Sequence, residues 1–231
     1  MISETPALDF AADPLDAVAA RVLGALVEKA FTTPDQYPLS LNGLTAACNQ
    51  SSNREPVMQL DEGTVAQGLA DLARRALARE VHRSDSRVKR WRHLLRETLQ
   101  LHEAEQAALC VLLLRGPQTI GEIKTRTGRM FEFIDLAHVE ITLRALMEFT
   151  TPLAVQLPRQ PGQKEARYAH LLAGEPQLPV AVSAPAASPP AAAAAPVADP
   201  RVDALEQDVA SLRAELAELR AALDAFRREF Q

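Results

Sequence analysis

Five cations crowd into ten residues around the chain's single tryptophan: Arg83, Arg87, Lys89, Arg90 and Arg92 flank Trp91. Long cations beside an aromatic suit the tracking of a phosphate backbone, because each neutralised phosphate releases counterions and that release drives binding. Arg74 adds a further cation upstream. The charge is local. Residues 14–100 carry 12 Lys and Arg against 10 Asp and Glu, residues 101–173 balance at 8 against 8, and the rest of the chain is acidic, giving a net charge of −5. A net acidic chain is not one coated for nucleic acid, but it can carry one basic patch. The other reading is an ordinary solvated strand with Trp91 packed beneath it.

A second group gathers many polar groups in a short span: Asn42, Asn49, Gln50, Asn53, Arg54 and Glu55. Such residues can form a recognition surface for a partner. Equally, Asn and Arg can tie turn backbone together as a structural loop. For catalysis there is no G-x-S-x-G, no P-loop, no G-x-G-x-x-G and no H-E-x-x-H. Cys48 and Cys110 stand far apart in apolar helical surroundings and read as core residues. With no CxxC and no Cys/His cluster, neither metal nor cofactor is expected, and the chain reads as a binding protein rather than an enzyme.

The elements that must position these residues follow from capping and periodicity. Residues 1–12 are acidic and unpatterned, an expected disordered lead-in. Asp13-Pro14 reads as a cap opening a helix with Leu15, Val18, Val22 and Leu26 on one face. Ser40 caps a second helix and Asp61 a third. Glu80–Arg83 and Arg87–His93 then form a hairpin around a short polar turn. Three helices and a hairpin are the winged-helix arrangement, and the order repeats. His102–Arg115 is an apolar helix, Thr119 and Glu122 form a capping box, Asp135 caps a third helix, and Leu153–Leu157 pairs with Arg167–Leu171. The expected fold is therefore α+β, mainly α, with one winged-helix domain at 13–98 and another at 99–173.

Residues 174–200 are nearly all Ala, Pro, Val and Ser, which cannot bury a core and reads as a linker. Beyond it, Val202, Leu205, Val209, Leu212, Leu216, Leu219, Leu223 and Phe226 alternate three and four apart, a coiled-coil stripe over residues 201–231. Asp208 and Glu215 at g would face Arg213 and Arg220 at e′ in a parallel pair, whereas an antiparallel pair sets like charges together. A parallel homodimer is expected, with folding back onto the chain's own globular part as the other possibility. No apolar run of 18 or more residues marks a membrane span, and the start lacks the pattern of a secretion signal. The cytoplasm is the expected compartment.

The run Thr32-Thr33-Pro34-Asp35-Gln36-Tyr37-Pro38-Leu39-Ser40-Leu41-Asn42 resembles the bacterial YceH-like family. So do Ala47-Cys48-Asn49-Gln50, Asn53-Arg54-Glu55-Pro56-Val57, Leu112–Gly116, Arg126–Phe133 and Pro161–Tyr168. The resemblance covers roughly residues 15–172 and implies a tandem winged-helix fold with no assigned activity. Two functions fit these residues: a dimeric adaptor that contacts double-stranded DNA, and a scaffold for an unknown protein partner. The latter is analogous in architecture alone to segregation-and-condensation protein B.

Overall fold

Helix α1 (Ala17–Thr32) is opened by Asp16, whose carboxylate accepts from Ala19 N at 2.6 Å. The expected cap three residues earlier, Asp13, does other work: its carboxylate lies 2.8 Å from Arg75. The computed structural model describes residues 8–81, 88–159 and 163–176. Arg83, Arg87, most of the Ala/Pro segment and the whole stripe from Val202 to Phe226 lie outside the described residues. The expectation of an unstructured lead-in fails from residue 8 onward. Phe10 is 1% exposed, and Asp9 ties the turn beneath it through Ala11 N and Ala12 N. Phe10, with Leu8 packed beside the same core, anchors the segment.

After a 3-10 turn at Pro34–Gln36 come strand β1 (Leu39–Ser40), α2 (Leu41–Cys48), α3 (Glu62–Arg74), β2 (Ala78–Val81) and β3 (Arg90–His93). Ser40 and Asp61 cap α2 and α3 as expected. The hairpin acquires a third strand that periodicity did not reveal, because β1 is only two residues long. The sheet order is β1-β3-β2, all antiparallel, with Leu39 opposite Trp91 and Arg79 opposite Arg92.

Short α4 (Leu95–Leu99) leads to α5 (Glu103–Arg115), α6 (Ile120–Thr127), α7 (Leu136–Met147), β4 (Ala154–Gln156) and β5 (Tyr168–His170). Thr119 and Asp135 cap α6 and α7, while β4 and β5 pair antiparallel. The element order of the first half recurs. So does a detail: the residue before the second helix bridges to the last strand, Gln118 N donating to Tyr168 O at 2.9 Å and Tyr168 N to Gln118 O at 2.7 Å. The fold is α+β and mainly helical.

The two halves share one apolar core. α1 lies against α5, with Leu23, Leu26, Leu109 and Leu112 fully buried in a continuous cluster. Burying each such side chain stabilises the fold by roughly 1.5–3 kcal/mol. Gly24 permits the close approach, since a Cβ there would stand 2.8 Å from Leu114 Cδ2. Backbone bonds cross the same seam: Glu55 N donates to Leu114 O at 2.8 Å, and Leu15 N to Leu172 O at 2.7 Å.

Candidate functional site

On the β2–β3 hairpin the cations have unequal freedom. Trp91 faces the core, as does His93, so Arg90 and Arg92 occupy the outward face with Arg79, which stands directly opposite Arg92. Arg90 is half-buried and donates to Pro38 O at 2.9 Å, which ties β3 to the segment before α2. Arg92 pairs with Glu97. Lys89 is well exposed and reaches Glu80 at 3.1 Å. Arg79 is exposed and has no ion-pair partner among the described residues. Like charges directly opposite each other on a sheet are destabilising; Glu97 offsets Arg92, and Arg79 is left as the cation of the pair without a carboxylate among the described residues. Arg79 precedes the dense cationic run and so does not stand out in the sequence.

The third helix offers less than its sequence suggested. Arg75 is largely buried and bonds Asp71 and Asp13, while Arg74 pairs with Asp71. Besides Arg74, which stays exposed in its pair with Asp71, the outward surface of α3 carries Glu62, Gly63, Gln67, Ala70 and Ala73. In α7, Asp135 is consumed as the cap and Glu140 faces Arg144 at 4.0 Å.

The polar motif splits into two kinds of residue. Arg54 is buried and forks onto both Glu28 oxygens at 3.1 and 2.6 Å, while also donating to Ala47 O from Nε and Nη2. Gln50 Oε1 accepts from the same guanidinium at 3.2 Å. Arg21 donates to Cys48 O and Pro56 O. Two guanidinium groups thus satisfy the last carbonyls of α2, where the helix dipole favours positive charge. Asn49 grips Leu60 through both its N–H and C=O, at 2.8 and 2.7 Å. Asn42 reaches Glu62. These residues build the loop. Asn53 and Glu55 are exposed instead, and Asn53 accepts from Arg115.

The Asn53–Arg115 bond opens onto a cleft between the halves. Arg115 ends α5, Arg126 lies in the last turn of α6 and Arg129 follows it, and together with Asn53 and Thr32 they line a narrow floor of about 30 Å³. An adjoining groove of about 400 Å³ is lined by Lys29, Gln50, Ser51, Ser52 and Arg129. Three of the segments that carry the family resemblance (53–57, 112–116 and 126–133) converge here. They are distant in sequence, which is why none of these cations stands out in the sequence.

A family model described as "Protein of unknown function, DUF480" matches residues 15–163. The chain belongs to this family. A UPF0502 protein of Geobacter sulfurreducens is 51% identical over 220 residues, covering 94% of this chain and 98% of its own. One from Azoarcus is 48% identical over 226 residues and covers 98% of each chain. One from Shewanella amazonensis is 53% identical over 158 residues, or 67% of this chain and 75% of its own. None of these names carries an activity. The match spans the α1–α5 seam and every cleft residue named above.

Neither cysteine is poised for chemistry. Burial pushes the Cys48 thiol up to about 12 and the Cys110 thiol up as well. Among the described residues no group of three or more His, Cys, Asp or Glu could hold a metal ion, and no helix is long and apolar enough to cross a membrane. Burial, and then the Arg92 charge, push His93 down to about 4; burial alone pushes His170 to about 4. Both imidazoles are therefore neutral in the folded state, whereas an unfolded histidine takes its proton near pH 6.5. Their contribution to stability is present above about 6.5 and is lost as pH falls toward 4. Thermal unfolding followed from pH 7 to pH 4 should show a falling midpoint, and His93→Gln should reduce that slope between pH 7 and pH 5.

Proposed function

We propose that the protein is a non-enzymatic tandem winged-helix adaptor that contacts duplex DNA through the first hairpin and acts as a dimer. The single observation that carries the DNA reading is the outward placement of Arg79 directly opposite Arg92, with Lys89 exposed at the end of the same strand. The winged-helix reading of 13–98 and 99–173 is supported by the repeated element order and by the same short bridge before each second helix. Arg83 and Arg87, outside the described residues, belong to the same cationic run of the sequence. A protein with two halves fused through α1 and α5 would carry two differently charged third helices on one rigid body. That suits an adaptor better than a symmetric reader of two half-sites. The parallel pairing of residues 201–231 belongs to this proposal and predicts that their deletion leaves a monomer in sedimentation.

The test is fluorescence anisotropy with a generic duplex at low and moderate salt, comparing the chain with Arg79→Gln/Lys89→Gln/Arg92→Gln. The variant should bind at least tenfold more weakly. Its log–log salt slope should be shallower by about 0.9 for each phosphate that the variant no longer neutralises. If the unaltered chain fails to bind duplex at low salt, the DNA reading is wrong.

A second reading has its own observation. Ile134, Leu136 and Ile141 around the start of α7 are 82%, 54% and 64% exposed. Exposed large apolar side chains of this kind are what a protein partner covers. This surface supports the scaffold reading, with the second half as its docking part.

A further inference from the structure

The cleft where the motif segments meet is a site distinct from the hairpin. We infer that Lys29, Arg115, Arg126 and Arg129 form a binding site for a small polyanion, the polyphosphate group of a phosphorylated small molecule. Of the carboxylates close by, Glu28 lies 2.6 Å from buried Arg54 and 3.5 Å from Lys29, and Glu122 is nearer to Arg167 at 3.0 Å than to Arg126 at 3.5 Å. Glu55 also acts on Arg115. Lys29, Arg54, Arg115, Arg126 and Arg129 thus outnumber the carboxylates Glu28, Glu55 and Glu122 around the cleft, in a chain whose net charge is −5.

Helix ends offer a bland account of these cations, since α1, α5 and α6 all finish near the cleft and their C-termini favour positive charge. Each end carries at most about half an elementary charge. Three of them offset about one and a half charges, which leaves a net positive site. Arg115 registers this field: burial first, then Arg126 and Arg54, lower its pKa, with Glu28 and Glu55 opposing. Cations are being held together against their mutual repulsion.

The donors suit phosphate oxygens. Arg129 is exposed, lines both the floor and the groove, and has no hydrogen-bond or ion-pair partner among the described residues. A free planar guanidinium offers two parallel N–H donors to a phosphate. Ser51 and Ser52 present hydroxyls from the exposed loop that Arg54 fixes from below, so the loop is held without using its outward groups. The groove's roughly 400 Å³ falls within the range of small-molecule sites. The groove runs between α1, the 50–53 loop and Arg129, a span that suits a compact ligand better than a duplex, which needs a broad outward surface. The narrow floor beneath is closed by Val111, Leu114 and Met130.

Calorimetric titration of the full chain with sodium tripolyphosphate at low ionic strength tests this. One site per chain is expected, with a matching rise in the thermal midpoint as ligand stabilises the folded state. Arg129→Gln should weaken binding about tenfold, and Arg126→Gln/Arg129→Gln further, without lowering the midpoint of the free protein. The hairpin variant Arg79→Gln/Lys89→Gln/Arg92→Gln should bind tripolyphosphate as the unaltered chain does, which separates this site from the proposed DNA contact. The inference is overturned if tripolyphosphate gives no heat and no midpoint rise at millimolar concentration. It fails equally if Arg129→Gln binds undiminished, if the hairpin variant no longer binds, or if sulfate at matched ionic strength binds as well.

Discussion

Arg54→Ala is expected to cost about 3–5 kcal/mol of folding stability, the range for removing one partner of a buried ion pair. The side chain of Arg54 is fully enclosed and its guanidinium serves Glu28, Ala47 O, Asn53 O and Gln50 at once. Alanine leaves the Glu28 carboxylate buried beneath the cleft with Lys29 at 3.5 Å as its remaining cation. It also strips two donors from the end of α2. The destabilisation has a pH signature that simple truncation would not give. In the unaltered chain burial raises the Glu28 pKa, but the Arg54 hydrogen bonds and charge outweigh it and hold the carboxyl below its usual range. That group contributes stability above its unfolded pKa of about 4.3, and the contribution disappears as pH falls through the folded value. Without Arg54, burial prevails and the carboxyl is raised, so protonation favours the folded variant. Urea unfolding at pH 7 and at pH 4 should therefore show the gap between variant and parent narrowing at the lower pH. Glu28→Gln on top of Arg54→Ala should recover part of the stability at pH 7. A gap that stays constant with pH would mean the Arg54 bonds to Ala47, and not the ion pair, dominate.

Arg54 also illustrates what the sequence could and could not reveal. Its polarity and its neighbours Asn53 and Glu55 mark the segment as a place where something is held, and that much fits a structural loop and a recognition surface alike. Burial decides between them, and burial depends on Glu28, twenty-six residues away on α1. By contrast, Ser40, Asp61, Thr119 and Asp135 are legible as caps, because a cap is a contact within three residues. Asp13 misleads because a helix can start at the next acidic residue when a tertiary partner, here Arg75, claims the first. β1 is invisible: two residues have no periodicity, and only pairing with β3 makes them a strand. The cleft is hidden for the same reason at larger scale. Arg115 and Arg126 are ordinary last-turn cations of their helices, and nothing local says that three helix ends meet.

How far the halves depend on each other is tested at Gly24. A Cβ there would stand 2.8 and 2.9 Å from Leu114 Cδ2 and Cγ and 3.2 Å from Leu113 Cβ. Both leucines are buried, and Cys110 Sγ donates to the Gly24 carbonyl at 3.4 Å across the same seam. Alanine at this position gains about 1 kcal/mol of helix propensity, which offsets part of the clash if the Leu114 methyl can move. Valine has no such relief. Its two γ-methyls add bulk against Leu113 and Leu114, and overpacking of this kind costs about 1–3 kcal/mol or somewhat more. We expect Gly24→Val to destabilise the fold by about 3 kcal/mol and Gly24→Ala by less than half of that. Trp91, the one tryptophan, lies in the first half, so its fluorescence follows that half alone while far-ultraviolet circular dichroism follows both. If the α1–α5 seam is the common core, the two urea transitions should coincide in the parent and shift together in Gly24→Val. A Trp91 transition that keeps its midpoint while the dichroism splits into two steps would mean that each half folds by itself. The cleft, whose cations come from both sides of the seam, would then be assembled by docking and not by folding. With a shared core, tripolyphosphate should raise the midpoints read at Trp91 and by dichroism by the same amount; unequal shifts would point to docking.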